Sequence, residues 1–67
     1  MVMDYEIWLF FEDGYPSWFV TRVDHTYEGF LKYLETFEGE ASKIATLHNS
    51  SAEFASVMLK AAMENHV

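Results

Sequence analysis

The stretch EIWLFFEDGYPSWFV, from Glu6 to Val20, sets two tryptophans and three phenylalanines around one tight loop. From Met3 to Glu12 the odd positions Met3, Tyr5, Ile7, Leu9 and Phe11 are all apolar, while the even ones run Asp4, Glu6, Trp8, Phe10, Glu12. Side chains alternate across a strand, so a period of two predicts one here. Beyond EDGYP, the run Ser17 to Val23 is rich in β-branched and aromatic residues and returns as the antiparallel partner.

Two registers compete for this hairpin. Asp13-Gly14 is a strong signal for a two-residue type I′ turn, but that turn sets Tyr5 against Arg22 and places Pro16 inside the ladder. A five-residue loop, Glu12 to Pro16, keeps proline out of the paired strand, where it has no amide to donate, and sets Glu6 against Arg22. On those grounds the longer loop is preferred. It predicts an inner face of Tyr5, Ile7, Leu9, Phe11, Phe19 and Val23, and an outer face of Trp8, Phe10, Trp18 and Val20 between Glu6 and Arg22.

Working outward, Asp24 is placed to cap a helix on which Tyr27, Phe30, Leu31, Leu34 and Phe37 recur at helical spacing, with Gly39 as its stop beyond Glu38. Ser42 to His48, SKIATLH, suits a helical turn or a strand, and a short third strand is expected because one helix has just ended and another is about to start. Ser50 followed by Glu53 reads as a capping box opening the last helix. That helix carries two apolar stripes, Phe54-Val57-Met58-Ala61 and Ala52-Ala55-Leu59-Ala62-Met63. The expected fold is therefore α+β, one compact domain over residues 1–67 in the order β-β-α-β-α, with β-β-α-α-α as the alternative.

A chain of 67 residues buries only about 60% of the surface its unfolded form exposes, so oligomerisation is a natural supplement to its core. No cysteine is present to form a disulfide or a thiolate zinc site, which fits a reducing, cytoplasmic setting. The amino end carries Asp4 and Glu6 where a signal peptide would be basic, and its apolar run is too short to span a bilayer. A formal net charge of −7 repels bare nucleic acid and anionic membranes and favours basic protein partners.

Motifs for chemistry are sparse. His25, His48 and His66 lie in three separate segments without metal-ligand spacing, so no metal or other cofactor is expected. The pairs Glu12-Asp13 and Glu38 with Glu40 read as solvated loop charge, and Ser50 and Ser51 beside His48 have structural work at a helix start and no oxyanion-hole motif. The expectation is a protein that is not an enzyme. What remains is apolar surface: Trp8, Phe10 and Trp18 together approach or exceed the ~300–600 Å² of the largest patch on a typical monomer.

The composition thus points to a small acidic protein-protein interaction module, binding a second copy of itself or a basic surface of a larger protein. The expected partner-binding residues are Trp8, Phe10, Trp18 and Val20, with Glu6, Glu12, Asp13 and Tyr15 at the rim, and Ala55, Leu59, Ala62 and Met63 as a helix interface between chains. A sharper form is an inhibitor, of the kind phages and mobile elements encode, that occupies a nucleic-acid-binding surface. The rival class is a small-ligand binder or minor enzyme with a pocket lined by Trp8, Trp18 and tyrosines. A last helix crossing the outer hairpin face would instead make those aromatics internal.

Overall fold

In the computed structural model, which describes residues 2–65, the chain forms strand β1 (Met3–Glu12), strand β2 (Tyr15–Val23), helix α1 (Tyr27–Thr36), strand β3 (Glu40–Ser50) and helix α2 (Ala52–Asn65). The order is β-β-α-β-α, an α+β fold, and the sheet is antiparallel throughout in the spatial order β2-β1-β3. β1, the most apolar strand, takes the centre, where both of its faces can be covered. The third strand is longer than the Ser42–His48 segment expected for it.

The hairpin register corrects the sequence expectation. Asp13 and Gly14 adopt φ of 54° and 84°, the left-handed pair of a type I′ turn, and β1 meets β2 as Glu12 with Tyr15, Phe11 with Pro16, Leu9 with Trp18, Trp8 with Phe19 and Ile7 with Val20. Pro16 is tolerated for a geometric reason. Glu12 and Tyr15 close the two-residue turn as a hydrogen-bonded pair, so the next pair is not hydrogen-bonded and the proline nitrogen points away from β1, towards the open edge. The missing donor costs the hairpin nothing.

A one-residue slip turns every side chain of β2 to the other face. Trp18 and Val20 therefore join Tyr5, Ile7 and Leu9, whereas Phe19, Thr21 and Val23 join Glu6, Trp8 and Phe10. Aromatic contacts place α1 on the second set: Phe30 meets Trp8 edge-on at 5.4 Å and stacks on Phe19 at 5.5 Å, and Phe37 meets Phe10 at 5.1 Å. The first set is nonetheless closed to solvent, with Ile7 and Leu9 fully buried, so α2 must cover it; it packs across β2 and β3. The fold has three layers, α1, sheet and α2.

Small side chains let α2 settle on the sheet. Ala55 is buried, and Met58, Leu59, Ala61 and Ala62 are half-buried around it. The stripe expected to bind another chain's helix thus packs inside this one, except for Met63, which is exposed together with Phe54 and Val57 from the other stripe. Exposure of the latter pair follows from helical geometry, since one helix can turn only one side to a flat sheet.

Local signals at the element ends are shifted slightly. Ser51, not Ser50, caps α2, its Oγ accepting the Phe54 amide at 3.2 Å, because Ser50 is still paired with Met3 in the sheet. Asp24 acts three residues ahead of α1, accepting the Thr26 amide at 2.8 Å and hydroxyl at 2.6 Å. Gly39 is not a left-handed helix stop. A side chain there would overlap the Phe11 carbonyl oxygen and press on the Phe37 ring, so the position needs close backbone approach.

Two carboxylates tie these ends down and set the acid response. Asp4 takes the amide of Asn49, a residue at φ 50° in an irregular stretch of β3, at 2.9 Å, and lies 3.3 Å from His48 Nδ1. The Asn49 amide first, and then the His48 ring, hold the Asp4 carboxyl below its ordinary 3.8; the Thr26 hydroxyl and amide lower Asp24 in the same way. A depressed folded pKa adds stability above the unfolded value, and that increment is lost as pH falls below it. Thermal midpoints should therefore drop as pH falls below about 4, with a shallower drop in Asp4→Asn. An unchanged acid limb in that variant would remove Asp4 from the account.

Candidate functional site

The face under α1 is built around a buried carboxylate. Glu6, placed by the sequence pattern at an acidic rim, is buried beneath the start of α1. Tyr27 Oη donates to its two oxygens at 2.9 and 3.0 Å, Trp8 Nε1 donates at 2.9 Å, and Lys43 Nζ stands 3.8 Å away. Burial first, and then Glu6 itself, raise the Tyr27 hydroxyl above its ordinary 10.0. This network fixes the amino end of α1 on the sheet.

Towards its carboxyl end α1 keeps contact with the central strand through Phe37 and Phe10, and a groove of about 500 Å³ lies between it and β2. One wall is Ser17, Phe19 and Thr21, alternate residues of β2 that the observed register turns to this side. The other is Phe30, Tyr33 and Phe37, one helical turn apart, with buried Phe10 as the floor. Phe19 and Tyr33 remain 44% and 52% exposed, so the groove holds aromatic surface that the chain does not cover.

Its end near the hairpin turn is acidic. Glu12, Tyr33 and Phe37 also line an adjoining depression with Asp13 and Glu38, and among the described residues Glu12, Asp13 and Glu38 enter no ion pair. Arg22, Lys43 and His48 are matched elsewhere, by Asp24, Glu6 and Asp4. The arrangement is an apolar channel with an uncompensated anionic mouth.

The expected site residues are thus separated. Trp8 and Phe10 lie under α1, Trp18 and Val20 on the α2 side, and no single outer face unites them. For the same reason Trp8 and Trp18 cannot line one pocket. Glu12, Asp13 and Tyr15 stay exposed at the hairpin end, where the sequence placed them. Phe19, Phe30 and Phe37 were read as core, and the signal that could have marked Phe19 was the Asp13-Gly14 turn, whose register turns it towards α1.

Among the described residues no group of three or more His, Asp or Glu is placed to hold a metal ion; His66 lies outside them. No helix of the described residues is long and apolar enough to cross a membrane. No family model, no curated protein and no solved structure matches the chain.

Proposed function

We propose that this chain is a small acidic, non-enzymatic interaction module that seats an apolar side chain of a basic protein partner in the groove between α1 and β2. The observation that carries this reading is the union of exposed rings, Phe19 and Tyr33, with the unpaired carboxylates of Glu12, Asp13 and Glu38 at one end of the same groove. Desolvated aromatic pockets supply most of the affinity of a protein interface, while a charged rim supplies orientation and encounter rate. An inhibitor that blocks a nucleic-acid-binding surface is the sharper version, and loss of the partner's DNA binding on adding this chain would support it.

The test is affinity capture from the source cells, followed by kinetics on the purified pair. Phe19→Glu should weaken the complex by about 2 kcal/mol or more, as loss of an anchor does. Association should slow as salt rises, since the acidic field reaches only about 8 Å at physiological ionic strength. Salt-independent association together with an unaffected Phe19→Glu complex would remove the groove from the reading.

A further inference from the structure

We infer that the open edge of β2 is a docking strand, to which a basic partner adds an extended segment as the fourth strand of the sheet. The inference rests on the groove reading above and specifies the form of what enters it. β2 lies at one side of the sheet with β1 on its other flank, and its pairing with β1 runs without a break over nine positions. The opposite edge, β3, is a poorer template, because its register shifts twice along β1 and irregular strands disfavour further pairing.

The turn geometry says which backbone groups are available. Counting from the hydrogen-bonded pair Glu12 and Tyr15, the pairs Ile7 with Val20 and Tyr5 with Arg22 are not hydrogen-bonded, so the amides and carbonyls of Val20 and Arg22 point away from β1. Thr21, between them, points its amide inward. A strand laid about 4.8 Å beyond β2 would meet those outward groups, and its alternate side chains would rise towards α1. There they meet the groove that Phe19 and Thr21 line together with Tyr33 and Phe37, beside the point where Phe19 stacks on Phe30 at 5.5 Å. Pro16, with its nitrogen turned outward, ends the available ladder towards the hairpin turn.

Charge selects the occupant. A segment with apolar residues at every second position and a lysine or arginine at the end near the turn would fill the channel and neutralise Glu12, Asp13 and Glu38. A second copy of this chain fits less well. Each copy carries a formal charge of −7, β2 holds no lysine, and its one arginine, Arg22, lies on the α2 side and already pairs with Asp24 at 3.7 Å.

A random twelve-residue peptide display library panned on the full chain tests this, with the most enriched peptide then synthesised for amide exchange by NMR. Expected are period-two apolar sequences with a terminal lysine or arginine, and exchange at the Val20 and Arg22 amides slowed more than about tenfold on binding while Thr21 is unchanged. Glu12→Lys with Glu38→Lys, both exposed, should weaken the peptide at least about tenfold without disturbing the fold. A peptide that needs Phe19 yet leaves the Val20 and Arg22 amides unprotected overturns strand addition and leaves the groove reading standing. Binding indifferent to Phe19→Glu, or no enrichment at all, overturns both. Protection of the two amides that grows with protein concentration and no peptide assigns the edge to a second copy and overturns the basic occupant.

Discussion

Ile7→Ala is expected to destabilise the chain by about 2–5 kcal/mol, the range for deleting most of a buried aliphatic side chain. Ile7 is wholly buried in the central strand, flanked by Val20 on β2 and Ala45 on β3, under the small-residue side of α2. Its two cross-strand partners are short, so they can do little to fill the space. At roughly 0.05–0.15 kcal/mol per residue, a domain of this size has about 3–10 kcal/mol in total, and the loss would unfold a large share of molecules. Urea unfolding followed by tryptophan fluorescence measures it. Val57→Ala on the exposed side of α2 is the control, expected within about 0.5 kcal/mol of the wild type. Trp18→Ala should also destabilise, because Trp18 is half-buried and stands opposite Leu9 on the α2 side. An Ile7→Ala variant within 1 kcal/mol of the wild type would contradict the three-layer core.

Glu6→Ala should cost about 3 kcal/mol, since it leaves the Tyr27 hydroxyl and the Trp8 indole without their acceptor in a partly buried position. Lys43 adds little to that figure, because its side chain is half in solvent and water can replace the carboxylate. Tyr27→Phe should cost about 1.5 kcal/mol, and the double variant should fall short of the sum, as expected for groups sharing one network. The same pair has a signature at high pH. A tyrosine whose folded pKa lies above its unfolded value contributes stability that is complete below about pH 10 and is lost as pH rises through the raised value. That alkaline limb should flatten in Tyr27→Phe. Additive costs, with the limb unchanged, would mean that Glu6 and Tyr27 do not act together.

Much of the fold was legible along the chain. Period-two alternation marked β1, β-branched and aromatic residues marked β2, and helical spacing from Tyr27 to Phe37 marked α1, because these patterns reflect which side of a single element is buried. The third strand was legible by elimination, and its length was not, since its outer residues look polar until β1 lies beside them. The acidic hairpin end, Glu12 and Asp13, could likewise be found from the sequence. The apolar groove beside it could not, because Phe19, Phe30 and Phe37 have the composition of a core, and the exposure of Phe19 beside Tyr33 follows only from the register of β2 and the packing of α1 on the sheet.

Pro16 shows where local reasoning reached its limit. Its missing amide argued against a paired position, yet in a two-residue hairpin that nitrogen faces the outer edge, which is a property of the assembled ladder. One residue of register then moved Trp18 to the α2 side and Phe19 to the α1 side. Glu6 shows the same limit, since a carboxylate among strand residues reads as a solvated rim until Tyr27, 21 positions away, brings a hydroxyl to both of its oxygens. The amino-acid sequence by itself determined the elements, their order and the acidic, aromatic character of the chain, all of which depend on neighbours within a few residues. Register, the placing of one helix on each face of the sheet, and the groove with its anionic mouth were decided by tertiary structure alone, because each depends on which distant surfaces exclude water together.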